Sequence, residues 1–172
     1  MNQIQIDKSL VWFLAKAIGL YLLWFLVYDL WIAPLGIIDT WLNQSVANGG
    51  YFLLQKFGFE VCKDGTSVCI NNASTVVIGR GCNGLEIYAI FAGFVVLYRG
   101  SWLHKIWFIV AGIAFIYLCN ILRVAMLAID HYNNLKLFQF NHKYTYVFII
   151  YFIVFGLWIL WINRFSKTSE VH

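Results

Sequence analysis

The chain has 172 residues, 62% of them hydrophobic and 12% charged, with a mean hydropathy of +0.74. A soluble domain is roughly half apolar and about a quarter charged, so these figures exclude a soluble globular fold and point to an all-α polytopic membrane protein. A net charge of +4 is too small to suggest nucleic acid as a partner and bears instead on topology and on contact with membrane lipids.

The sequence reads as a single membrane domain over residues 1–172, with no repeat, low-complexity stretch or linker. A short polar start, 1–8, precedes a first apolar helix over about 9–33, interrupted only by Lys16 and Asp29. These two can snorkel to opposite interfaces, and Trp24, Tyr28 and Trp31 suit the interfacial belt. The run is long and lacks a small-residue cleavage site, so it reads as a retained helix rather than a signal peptide. Pro34, the only proline, ends it.

An extracytoplasmic segment follows over about 35–82. In its first part Ile37, Ile38, Trp41, Leu42 and Ser45 recur at helical spacing among Asp39, Asn43 and Gln44. The reading is an amphipathic helix lying in the interface, then Gly49-Gly50, then a short apolar piece at Tyr51–Leu54; a re-entrant segment is the alternative. Residues 59–80 alternate Val, Thr and Ile with polar residues around Asp64-Gly65-Thr66, which predicts a small β-hairpin outside the bilayer. With Gly65-Thr66 as the turn, Cys62 and Cys69 face each other, and an oxidising exterior permits a disulfide.

Three more helices are predicted over about 84–98, 106–129 and 144–163, with a tight basic turn at Arg99–Lys105 and a polar loop over 130–143. That makes four spans. Arg99 and Lys105 crowd the short turn, and Arg164 and Lys167 flank the last helix. Placing both clusters in the cytoplasm puts both termini there and puts the hairpin, the start of the second helix and the loop 130–143 on the other side.

Three polar marks in this chain share a depth. Cys82 stands between Gly81 and Gly84 at the outer head of the second helix. Arg123 lies 18 residues beyond Lys105, or roughly 27 Å along a helix, close to the far side of an apolar core about 30 Å thick. His142 stands at the entrance of the fourth helix. Backbone N–H groups at a helix start suit a thiolate, so Cys82 reads as a nucleophile; a buried structural cysteine is the alternative. Arg123 is costly at such depth and needs a partner. An ion pair with Glu86 or Asp130 is the structural reading, and a donor fork for an oxyanion, oriented by Asn120 one turn earlier, is the catalytic one. His142 is the natural general base, with His131 its rival nearby; His104 is on the wrong side and His172 in the tail. Cys119 reads as core packing. The spacing of Cys62 and Cys69 is poor for zinc, and no motif for a metal, phosphate or other cofactor is present.

Together, Cys82-Asn83-Gly84, Asn120-Ile121-Leu122-Arg123 and His142 resemble, in order and spacing over about residues 70–160, the exosortase/archaeosortase family of membrane transpeptidases. Asn83 stands where serine is usual, and four helices make a compact member. The resemblance implies a cysteine-dependent protease and transpeptidase of the cell envelope, resident in a prokaryotic cytoplasmic membrane with its site on the extracytoplasmic face. Its substrates would be exported proteins bearing a C-terminal sorting signal: a short motif, a membrane helix and a basic cluster. Cys82 would form a thioester, His142 would handle the protons, Arg123 would hold the oxyanion, and a lipid or glycan-linked acceptor would take the acyl group. Gly84, Asn83, Glu86 and Asn120 would support them.

Two other readings compete. A four-helix thiol oxidoreductase would suit the length and the four cysteines, but would have to pair Cys82 with Cys119 in place of a close Cys-x-x-Cys. A non-catalytic membrane scaffold would leave the common depth of three polar residues without a cause.

Overall fold

A computed structural model describes residues 8–71, 74–133 and 135–165 of the protein. The polar start 1–7, Lys167 and His172 lie outside the described residues. The architecture is mostly helical with one small sheet.

Helix α1 (Lys8–Trp24) passes into a π-helical stretch over Phe25–Ile32 and a 3-10 turn over Ala33–Leu35 that contains Pro34. Gly36, at φ +67°, turns the chain into α2 (Ile37–Lys56). Strands β1 (Val61–Asp64), β2 (Ser67–Ile70) and β3 (Ser74–Val77) form an antiparallel meander in sequence order. Helices α3 (Leu85–Leu97), α4 (Trp102–Asn133), α5 (Leu135–Phe140) and α6 (Tyr146–Arg164) complete the chain. A second π-helical stretch, Asn141–Thr145, joins α5 to α6.

Among the described residues three helical runs are long and apolar enough to cross a membrane: Ala15–Leu35, Trp102–Asn133 and Lys136–Arg164. The expected second span, α3, is apolar apart from Glu86 in its first turn but only 13 residues long. At about 1.5 Å per residue it covers roughly 20 Å, short of a core about 30 Å thick. Its C-terminal end is completed by Lys105, a basic residue read above as a topology marker. The ammonium is buried, donates to the Val96 carbonyl at 2.8 Å and lies 4.9 Å from the centre of the Trp102 ring. It caps free carbonyls at the helix C-terminus.

The segment 35–58 departs from expectation. It is one continuous helix through Gly49-Gly50, not an interfacial helix followed by a separate apolar piece. Its buried face is Asp39, Leu42, Val46, Ala47, Gly50 and Leu54, while Ile37, Ile38 and Trp41, placed on the apolar stripe above, are exposed. The two glycines are the contact surface. A Cβ at Gly49 would come within 2.5 Å of Ile121 Cδ1, and one at Gly50 within 3.2 Å of Val124 Cγ1. Small residues there let α2 lie close along the outer half of α4.

The strand region carries a third strand beyond the predicted hairpin. Cys62 pairs with Cys69 across β1 and β2, and Val68 with Val76 across β2 and β3. The period-two alternation turns Val68, Ile70, Val76 and Ile78 inward and leaves Val77 outside. These side chains join Val46, Ala47 and Leu54 of α2 and Val124, Ala125 and Ala128 of α4 in one core. A second core joins Tyr88, Phe91 and Val95 of α3 to Ile116 of α4 and Val154 and Trp161 of α6, with Leu42 reaching in from α2. Helix α4 is the shared wall of both. Its 32 residues run to about 48 Å, so it projects well beyond one apolar core thickness.

The predicted polar loop 130–143 is helical instead. No glycine or proline interrupts it, and Leu137, Phe138 and Phe140 supply apolar surface for the short helix α5.

Candidate active site

The Cys82 turn is built from the end of the sheet. The buried Ile78 anchors the chain after β3, and its N–H donates to Thr66 O at 3.0 Å. A 3-10 turn then spans Arg80–Cys82, closed by Cys82 N–H to Gly79 O at 2.9 Å. Cys82 therefore sits one short turn ahead of α3 rather than in its first turn. Asn83 makes the junction: its Oδ1 accepts the Leu85 N–H at 3.0 Å, satisfying one of the free donors at the head of α3.

The two glycines beside the cysteine do different jobs. Gly84 has φ +83°, and a Cβ there would lie 2.9 Å from Tyr88 Oη and 3.4 Å from Asn120 Nδ2. The close approach at Gly84 is thus made by the side chains of Tyr88 and Asn120. Gly81 meets nothing within 4 Å.

Cys82, Arg123 and His142 converge as their common depth implies. Cys82 Sγ lies 3.3 Å from His142 Nε2. The π-helical stretch carries His142, a local winding often found at functional sites, and Phe138 stacks on its imidazole at 5.7 Å and 13°. His131, the rival histidine, packs edge-on against the far partner of that stack, Phe138, at 4.8 Å. Asn120, 1% exposed, bridges the remaining parts: its Nδ2 donates to Cys82 O at 2.8 Å and its Oδ1 accepts from Arg123 Nη1 at 3.4 Å.

Arg123 is 7% exposed, and among the described residues no carboxylate pairs with it. Its Nε has no hydrogen-bond partner among them. Asp130, one of the two expected partners, instead accepts from Asn141 Nδ2 and Tyr146 Oη, each at 2.8 Å. Glu86, the other, lines with Arg123, Arg80, Gly81 and Gly84 a cavity of about 100 Å³ closed by Ile150 and Tyr151. A buried guanidinium with an unused donor thus borders a small space that is also lined by Gly81 and Gly84 of the Cys82 turn. Such a donor costs free energy unless something accepts from it.

The transmembrane exosortase family model matches residues 6–164. The chain belongs to that family. It is accordingly a membrane protein of the exosortase type, with three long apolar helices among the described residues and the shorter α3. No curated protein and no solved structure shows significant similarity to it.

The exosortase site contains residues that sequence reasoning missed. Asp39 is 8% exposed and accepts from Tyr28 Oη at 2.7 and 2.8 Å and from Asn83 Nδ2 at 2.8 Å. Arg80 Nε lies 3.6 Å from it, and Arg80 Nη2 lies 3.0 Å from Asp29, an acid assigned above to the membrane interface. The guanidinium also stacks 5.2 Å from the centre of the Tyr28 ring. Burial works against the Arg80 charge, but Tyr28, Asp39 and Asp29 together raise its pKa above the ordinary arginine value. A signal for Asp39 was present: it is in helical register with Leu42, Val46 and Gly50, an acid on the buried stripe. Among the described residues no group of three acidic, histidine or cysteine side chains could hold a metal ion.

Proposed function

We propose that this exosortase is a cysteine transpeptidase that cleaves C-terminal sorting signals of exported proteins and passes the new C-terminus to an envelope acceptor. The observation that carries the reading is the 3.3 Å contact between Cys82 Sγ and His142 Nε2, with Arg123 held beside it through Asn120. A thiol within reach of an imidazole is the minimal activated nucleophile, and a fixed donor group nearby completes acyl-transfer chemistry.

His142 takes the thiol proton as Cys82 Sγ attacks the scissile carbonyl carbon. The oxyanion that forms is stabilised by Arg123, whose unused Nε–H and desolvated charge act more strongly in a dry site than in water. As the C–N bond breaks, His142 returns the proton to the leaving amine, which departs with the C-terminal membrane segment. The thioester on Cys82 is resolved by an acceptor hydroxyl or amine, which gives its proton to His142 as it attacks; the C–S bond breaks, and His142 returns the proton to the departing Cys82 sulfur. A lipid or glycan-linked acceptor fits a site on the extracytoplasmic face, with both termini of the chain in the cytoplasm. The oxidoreductase alternative is less well supported, because Cys82 faces an imidazole while Cys119 is a second free thiol on α4.

The test is trapping. Wild-type chain and Cys82→Ala are each expressed with a sorting-signal protein and examined by intact mass. A hydroxylamine-sensitive adduct on the wild type and a shortened substrate, both missing with Cys82→Ala, are expected. Equal cleavage by both would remove Cys82 as nucleophile.

A further inference from the structure

Asp39 has no place in the acyl-transfer steps, yet it is the most heavily hydrogen-bonded carboxylate near them. It comes from α2, far from Cys82 in sequence, and it grips the Cys82 turn on both sides. On one side is Asn83, the next residue, whose Nδ2 donates to Asp39 Oδ1 at 2.8 Å. On the other is Arg80, two residues earlier, whose Nε lies 3.6 Å from Asp39 Oδ2. Tyr28 fixes the carboxylate from behind with its single hydroxyl proton, shared between the two oxygens.

A buried carboxylate is costly unless its lone pairs are filled, and here donors from the π-helical stretch after α1 and from the head of α3 fill them, with the Arg80 charge of the 3-10 turn beside it. The bonds that set the remainder of the turn come from elsewhere: Cys82 O from Asn120, Asn83 O from Tyr88 Oη at 3.3 Å, and Leu85 N from Asn83 Oδ1. Without Asp39 the Asn83 amide loses its acceptor, and Arg80 keeps Asp29 and the face of the Tyr28 ring. From the α2 side the turn is then left with the apolar packing of Cys82 against the core that α2 shares with α4 and the sheet.

We infer that Asp39 is a positioning residue that clamps the Cys82 turn through Asn83 and Arg80 and so keeps the thiol within reach of His142. The inference rests on the reading of Cys82 and His142 as a working pair. Asn83 is on this view matched to Asp39, its amide nitrogen donating to the carboxylate while its carbonyl accepts from Leu85 N–H.

The experiment uses the full chain in native membranes and reads iodoacetamide labelling of Cys82 by peptide mass, with Cys119 in the same digest as the reference for overall folding. In the wild type, His142→Ala should slow Cys82 labelling about tenfold, because the imidazole no longer draws off the thiol proton. Asp39→Leu should slow it by a similar factor of about ten, and adding His142→Ala to Asp39→Leu should then change it by less than about twofold, since the two act through one contact. Asp39→Asn keeps an accepting oxygen for Asn83 and Tyr28 and should stay within about threefold of wild type. Should Asp39→Leu fail to insert, Asn83→Ala, which leaves Asp39 its Tyr28 and Arg80 partners, must show the same loss of dependence on His142. Wild-type labelling and a full His142 effect in Asp39→Leu or Asn83→Ala would overturn the proposal. A wild type whose labelling ignores His142→Ala would instead overturn the Cys82–His142 pairing, and the role of Asp39 with it.

Discussion

Substitution of the two glycines around Cys82 separates geometry from motif. At Gly84 the backbone is left-handed, with φ +83°, which costs an L-residue on the order of 1–2 kcal/mol before any contact is counted. The added methyl would lie 2.9 Å from Tyr88 Oη and 3.0 Å from Tyr88 Cζ, closer than carbon atoms approach, and 3.4 Å from Asn120 Nδ2. Tyr88 is buried and cannot swing away freely, so the turn must move. The groups it moves against are the ones that hold it, through Asn83 O and Cys82 O. A displacement of about 1 Å at a nucleophile is enough to cost about 100-fold in rate. Gly84→Ala is therefore expected to lower substrate processing by about that factor, with about 1–3 kcal/mol of stability lost as well. Gly81→Ala, with nothing within 4 Å and no positive φ, is expected to stay within about twofold of wild type. Processing by both variants is followed on a gel as substrate shortening, normalised to inserted protein. Wild-type processing by Gly84→Ala, or equal damage from the two substitutions, would refute the assignment of the crowded side of the turn.

Arg123→Lys keeps a positive charge but loses the planar fork that reaches Asn120 and the cavity together, so processing should fall about 100- to 1000-fold with insertion intact, read by the same gel. Cys62→Ser with Cys69→Ser removes a bridge that closes a short loop beside the sheet core, and the loop-entropy relation gives a loss of about 2.5 kcal/mol in thermal or denaturant unfolding. Processing by the inserted double variant should remain within about threefold of wild type, as the bridge touches no residue of the Cys82 turn; complete loss would show the sheet to be part of the machinery. Gly49→Val places a branched side chain against Ile121, already 2.5 Å from a first methyl, and should destabilise the α2–α4 contact by about 1–3 kcal/mol; an unchanged melting temperature would mean the two helices do not pack as described.

What could be read ahead of the structure followed from constraints that act along one element. Apolar runs set the long helices, and the depth argument placed Cys82, Arg123 and His142 together because helical rise converts residue number into distance. The Gly65-Thr66 turn set the β1–β2 register and so faced Cys62 against Cys69, which are bonded. What failed depended on partners from other elements. Gly49-Gly50 looked like a break because glycine disfavours helices, yet α4 fills the space they leave. Asp39 and Asp29 looked like solvated polar residues because their partner, Arg80, is remote in sequence. The cap that Lys105 places on α3 was likewise not legible, because nothing in the sequence shows that the end of α3 lies within its reach.

Helix α4 carries Asn120 and Arg123 where its bundle half gives way to the half that packs on α2 and the sheet. The site consequently has no existence inside either half alone. A chain whose helices have inserted but whose sheet and α2 have not yet closed over α4 holds its thiol without an acceptor for Asn83 or a fixed place for the Cys82 carbonyl. On the reading proposed above, the closing of α2 and the sheet over α4 is the folding step that completes the site, and the Cys62–Cys69 bridge stabilises that cap without being needed for it.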